Sequence, residues 1–137
     1  MKYFKNAEQF YSILVPFFND LMNNPKIGPK VLASGLIIKF IYHNPETVII
    51  VHCTNSEIIQ GDREDIKPDV VMSMNSDVAH RFWLGKVNLM AALTKGDIKA
   101  KGPIPKIMKL LPIIKSAYAI YKDYLKEEGF EDLVNIE

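Results

Sequence analysis

Apolar and polar positions change period several times along the chain, and each change marks an element. Phe10, Ile13, Leu14, Phe17, Phe18, Leu21 and Met22 recur at three and four, the spacing of one helix face. Asn6 and Gln9 ahead of them have the spacing of a capping box. Pro16 lies inside the run and removes a backbone donor, so a kink is expected near its middle. Asn23, Asn24 and Pro25 end it. The stripe reads first as core packing and second as a membrane-binding face. A loop over residues 26–30 comes next, broken by Gly28 and Pro29. The period then drops to two. Residues 31–42 read as a strand with Leu36, Ile38, Phe40 and Tyr42 on one face and Ile37, Lys39 and Ile41 on the other. A turn at residues 44–46 leads to a second strand over 47–54, apolar on both faces, and the two form an antiparallel hairpin. A weaker third strand over 56–60 stops at Gly61, and polar residues 63–68 carry the chain onward.

Residues 69–102 are the best-punctuated stretch. Val70, Met72 and Met74 alternate with Asp69, Val71, Ser73 and Asn75, a strand with one strongly apolar face. Asn75 or Ser76 can cap a helix after it, and Asp77 suits the positive end of its dipole. Val78, Ala79, Phe82 and Trp83 share one side of that helix, with His80 and Arg81 toward the polar side. Gly85 ends it in a left-handed conformation. Asn88 caps a short second helix with Leu89, Met90 and Leu93 inward, and Gly96 closes it. Residues 97–101 alternate Ile98 and Ala100 with Lys99 and Lys101, an edge strand with a charged outer face.

Beyond Gly102 two apolar stripes run side by side. Pro103 and Pro105 suit a helix start, and Pro112 bends or breaks that helix. One stripe includes Ile104, Ile107, Met108, Leu111, Ile114, Tyr118, Tyr121 and Leu125; the other is Leu110, Ile113, Ala117, Ile120 and Tyr124. Two stripes imply two apolar neighbours: the sheet or a ligand for one, the first helix or a second subunit for the other. The first four residues named after Ile104 are expected to face a cavity, and truncation after Leu111 is expected to leave the sheet folded.

At 137 residues the chain is expected to be one domain over 1–137. A net charge of +1 gives no electrostatic reason for a nucleic-acid partner. A single cysteine precludes an internal disulfide. The amino terminus lacks the apolar run of a secretory signal, and no stretch is long enough to span a bilayer. A soluble cytoplasmic protein is the expectation. Catalytic constellations are thin. His52 and Cys53 are adjacent in a strand and point to opposite faces, so they cannot act as a base–nucleophile pair. Cys53 reads as a core residue and His43 and His80 as solvated. No zinc-like spacing or phosphate loop stands out, and neither metal nor cofactor is expected.

Asp69 with its apolar strand, Gly85-Lys86-x-Asn88, Gly96-x-x-Lys99 and Gly102 resemble, in order and spacing, the sterol carrier protein type 2 family. The resemblance implies an α+β fold: an N-terminal helix, a five-stranded mostly antiparallel sheet with helices on one face, and a long C-terminal helix. It also implies non-catalytic binding and transfer of a fatty acid, fatty acyl-CoA, phospholipid or sterol-like ligand in a tunnel between sheet and helices. Phe40, Met72, Met74, Phe82, Trp83, Met90, Leu93, Ile107, Met108, Leu111 and Ile114 are the ligand-binding candidates. For the methionines and aromatics among them, plain core packing is the alternative; adaptable methionine also suits varied apolar partners. Transient membrane contact and a homodimer through the C-terminal helix are further expectations. Two other readings stay open: an accessory factor holding quinone or isoprenoid intermediates, and a small acyl-transferring enzyme using Cys53 or a histidine.

Overall fold

The computed structural model describes residues 3–136. Its centre is β1 (Ile37–His43), which pairs antiparallel with β2 (Thr47–His52) and parallel with β4 (Val70–Asn75). β3 (Glu57–Gln60) extends the sheet beyond β2 and β5 (Ile98–Lys101) beyond β4, giving the order β3-β2-β1-β4-β5. Three of the four pairings are antiparallel, as the resemblance implies. Period-two alternation puts Ile38, Phe40, Tyr42, Val70, Met72 and Met74 on a buried inner face.

The parallel pair has no hairpin to set its register, and Asp69 supplies the closure. Its carboxylate accepts from the Ile37 amide at 2.8 Å, while its own amide donates to the Ile37 carbonyl at 2.8 Å. The Ile37 amide holds the Asp69 carboxyl below the usual carboxylate range, and Lys106 at 3.3 Å adds to this. Gly102 crosses close by: a Cβ there would lie 2.7 Å from the Asp69 carbonyl oxygen, at a φ of +130°.

Helices cover only the inner face. α1 (Ala7–Asn23) starts with a variant of the capping box, Asn6 accepting from the Gln9 amide at 2.8 Å and Gln9 reaching one residue past the cap to accept from the Lys5 amide at 2.6 Å. It runs through Pro16 and buries Phe10, Ile13, Leu14, Phe17, Phe18 and Leu21. α2 (Gly28–Ser34) replaces the first half of the strand expected over 31–42. Pro29 fits the first helical turn, where a missing amide costs nothing, and Gly35 stops the helix at φ +64°. α3 (Ser76–Trp83) and α4 (Leu89–Lys95) come after β4. Asn88 caps α4 by accepting from the Ala91 amide, but Asn75 makes no such bond, and the Ser76 hydroxyl donates instead to the Asn44 carbonyl at 2.7 Å. α4 turns Leu89 and Ala92 inward and leaves Met90 49% exposed, against expectation.

The carboxy-terminal segment forms α5 (Ile104–Met108), α6 (Leu111–Glu127) and α7 (Glu131–Val134). Pro112 cannot donate to the Met108 carbonyl, so the break falls before it and Pro112 sits in the first turn of α6. The break mixes the two stripes. Leu110 and Ile114 point inward together, whereas Ile104 and Met108 are exposed. Farther along, α6 buries Ala117, Tyr121, Tyr124 and Leu125, and the Tyr124 hydroxyl donates to the Ile13 carbonyl at 2.8 Å. α1 thus meets the second stripe at Tyr124, while that stripe's Leu110 and Ile113 turn toward the sheet. Truncation after Leu111 would strip fully buried Tyr121 and Leu125 from the core, so the expectation that the sheet survives it is withdrawn.

His80 is buried rather than solvated. Its Nε2 lies 2.7 Å from the Leu133 carbonyl, which can only accept, so Nε2 carries the proton and Nδ1 accepts from the Tyr121 hydroxyl at 2.8 Å. The ring thereby ties α3 to α6 and α7 as a neutral imidazole, and burial lowers its pKa to about 4. A group whose folded pKa is depressed favours the deprotonated fold. Its contribution is complete above the unfolded value of 6.5 and is lost as pH falls toward 4. Denaturant unfolding between pH 7 and 4 should therefore show a loss of about 3 kcal/mol that His80→Gln abolishes; an unchanged slope in the variant would count against a neutral buried ring.

Candidate functional site: an apolar cavity beneath the sheet

Between the inner face and the helices lies one cavity with an almost wholly apolar wall. The sheet contributes Ile38, Phe40, Val51 and Met72, with Cys53 just beyond β2. The cross-strand register seats Phe40 directly opposite Met72. α1 adds Phe18, Leu21 and Met22; α3 adds Phe82 and Trp83. The aromatic groups brace one another: Phe18 stacks on Phe40 at 5.5 Å, and Trp83 meets Phe18 edge-on at 5.5 Å. The remaining wall is α2, through Val31 and Ser34, and the α5–α6 junction, through Leu110, Ile113 and Ile114.

Its few polar atoms are already engaged. The Ser34 hydroxyl donates to the Val31 carbonyl at 2.7 Å and accepts from the Leu36 amide at 3.4 Å. Burial pushes the Cys53 thiol up from its ordinary pKa, which disfavours the nucleophilic thiolate. No charged side chain lines the wall. Such a space has no means of orienting a polar reactant, and what it can do is exclude water from an aliphatic chain. Its interior is narrow, ≈ 60 Å³, while the crevice counted out to solvent reaches ≈ 580 Å³.

Of the eleven sequence candidates, the structure brings Phe40, Met72, Phe82, Trp83 and Ile114 together on this wall. Met74 is buried on the same face one strand period away and borders a separate polar groove. Ile107 is buried outside the wall, Leu93 and Leu111 are half-buried, and Met90 and Met108 are exposed. Sequence reasoning missed the α1 contribution, although Phe18, Leu21 and Met22 were already in its stripe. It missed Val31 and Ser34 because α2 was read as strand, and Leu110 and Ile113 because the helix break rotates them inward.

On the opposite face of the sheet, His43 Nε2 lies 3.0 Å from Ser73 Oγ and Nδ1 lies 2.9 Å from Glu46. The order is that of a serine–histidine–carboxylate relay. Glu46 is 76% exposed, so water competes for its orienting bond, and the groove beside the relay is polar rather than aliphatic. Among the described residues no group of three or more His, Cys, Asp or Glu could hold a metal, and no helix is long and apolar enough to cross a membrane.

A profile of the SCP-2 sterol transfer family matches residues 18–115. The chain belongs to that family. No curated protein matches. Among solved structures, sterol carrier protein domain 2 of Helicoverpa armigera aligns at TM-score 0.70 and 21% identity, over 85% of this chain and 94% of that one. The Aedes aegypti sterol carrier protein-2 in complex with C16 fatty acid (palmitate) aligns at 0.54 and 13%, over 79% and 93%. A UbiJ-SCP2 ubiquinone synthesis protein aligns at 0.60 and 13%, over 79% and 94%. These likenesses establish the sterol carrier fold. Within it, Asp69, Gly85, Asn88, Gly96 and Gly102, which carry the sequence resemblance, frame strands and helix ends and do not line the cavity.

Trp83 is the one tryptophan in the chain. Its emission should shift in wavelength or intensity as palmitate saturates the protein. No change at saturation, with binding shown by an independent assay, would remove Trp83 from the ligand's surroundings.

Proposed function

We propose that this SCP-2 family protein binds one long-chain apolar lipid in the cavity and transfers or presents it without covalent chemistry. The observation that carries the reading is the uncharged, aromatic-braced wall. Removing a dozen methylenes from water stabilises a complex by about 10 kcal/mol. Immobilisation costs at least roughly 4 kcal/mol of that. The remainder requires few polar contacts. The palmitate complex of the Aedes aegypti neighbour supports an aliphatic ligand.

The narrow interior requires a wall that gives way. The aromatic wall is locked into the core, whereas α2 and α5 each bury a single side chain, Val31 and Ile107. Elements so lightly anchored open at low cost. In this reading α2 and the α5–α6 junction move off the sheet as the ligand enters, and Phe40, Met72, Phe82, Trp83 and Ile114 are its contacts. A cytoplasmic site of action suits a chain with one buried, reduced cysteine. A second reading, an accessory factor that holds a quinone or isoprenoid intermediate, is favoured by the likeness to the ubiquinone synthesis protein; the same cavity serves both.

Affinity should track chain length more than head group, so acyl chains of equal length with different heads should compete similarly. A hundredfold head-group preference, about 2.7 kcal/mol, would demand dedicated polar contacts and contradict the reading. Val31→Trp places bulk at the movable wall and should weaken palmitate binding at least about tenfold while circular dichroism stays unchanged. Unaltered affinity in that folded variant would move the ligand elsewhere.

A further inference from the structure

We infer that the face formed by α2, α5 and the first turns of α6 docks on an anionic lipid bilayer, over the movable wall of the cavity. The inference rests on the carrier reading and names the surface through which it would exchange ligand.

Two observations meet on this face. Four large apolar side chains stand exposed among the described residues: Leu32, Met90, Ile104 and Met108, at 49%, 49%, 70% and 38%. Leu32 belongs to α2, and Ile104 and Met108 to α5. The break before α6 turns Leu110 and Ile114 into the cavity and leaves Ile104 and Met108 exposed on the outer side.

Charge is segregated in the same place. No acidic residue occurs over 21–45 or 98–122, which carry Lys26, Lys30, Lys39, Lys99, Lys101, Lys106, Lys109, Lys115 and Lys122. Of these, Lys39, paired with Asp62 at 2.8 Å, and Lys99 and Lys101, opposite Ser73 and Val71, belong to the outer face of the sheet and not to this one. The other eight basic residues are outnumbered two to one by the sixteen acidic ones. A net charge of +1 therefore conceals a lysine-rich, acid-free stretch around α2, α5 and the start of α6. Lys26, just before α2, and Lys30 within it share a groove with Ser116 and Ile120 of α6, so α2 lies alongside the helix that carries Lys115. Lys106 is ion-paired to Asp69, whereas Lys26, Lys30, Lys109 and Lys115 are exposed. The long apolar stripe of α1 is no rival surface, because it is buried and the helix carries Glu8 and Asp20 with no basic residue.

Lysines interleaved with exposed apolar tips are the chemistry of an interfacial segment. The ammonium groups meet lipid phosphates while the tips enter the acyl boundary. A bilayer fits better than an acidic protein because the docked face also walls the cavity. Parting α2 from α5–α6 at the membrane lets an aliphatic chain pass between acyl phase and cavity without crossing water.

The test is flotation of the full chain with vesicles of phosphatidylcholine, alone or mixed with phosphatidylglycerol, with palmitate affinity measured in parallel. The wild type should bind the mixed vesicles, bind phosphatidylcholine far more weakly, and release at raised salt. Ile104→Ser with Met108→Ser, and separately Lys109→Gln with Lys115→Gln, should each weaken vesicle binding at least about tenfold without changing palmitate affinity. Met90→Ser, equally apolar and exposed but on α4, should leave both unchanged. Equal binding to both vesicle types, no loss in either double variant, or a comparable loss in Met90→Ser overturns the inference. So does absent vesicle binding, including capture of an acidic protein instead; intact palmitate binding would then leave the carrier reading standing. Vesicle binding without palmitate binding would instead overturn the carrier reading, and with it the role of this face in ligand exchange.

Discussion

The structure depends on one non-local closure, the exchange of hydrogen bonds between Asp69 and Ile37. The β1–β2 and β2–β3 pairs inherit their register from short connections, but β1 and β4 are parallel and joined through β2, β3 and a long loop. A slip of one residue would send Phe40 and Met72 to solvent and Lys39 and Ser73 into the core. The Asp69 carboxylate prevents that by occupying the first free amide of β1. Gly102 permits the chain leaving β5 to pass against the Asp69 carbonyl, where a side chain would collide. The residues that carry the family resemblance thus act on register and turns, and the cavity is a consequence of the register.

Given that frame, the proposed reading assigns the cavity a fixed wall and a movable one. Phe18, Phe40 and Trp83 hold each other and fill the sheet side, so that region behaves as ordinary core. The opposite wall is α2, too short to be stable alone and anchored by Val31, together with Leu110, Ile113 and Ile114 where the short α5 leads into α6. This asymmetry reconciles a narrow, dry interior with a ligand several times its volume. It also explains why no polar signature accompanies the site: discrimination by length and shape needs volume, not hydrogen bonds.

What was legible in the sequence was local. The α1 stripe, the Asn6–Gln9 box, the Asn88 cap and the inward parity of Phe40 and Met72 all derive from period and spacing within a few residues. What escaped was set by distant parts of the chain. Val31 to Ala33 is a short apolar run that leads into the β1 pattern, and its helical state is decided by Pro29, Gly35 and packing on α1. His80 lies on the polar side of its own helix, yet Tyr3, Phe4, Tyr121 and Leu133 close over it. The rotation at Lys109 and Leu110 redistributed two stripes that a continuous helix would have kept apart, and with them three of the eleven expected cavity residues, Ile107, Met108 and Leu111.

The central claim is that the space beneath the sheet is occupied by a lipid. Native mass spectrometry of freshly purified protein, with extraction and identification of what dissociates, addresses it most directly. The account predicts an aliphatic lipid at about one per chain, or stoichiometric uptake of palmitate by protein that emerges empty. A chain that stays at its apo mass after incubation with excess palmitate, quinone and polyprenyl lipids alike would contradict it.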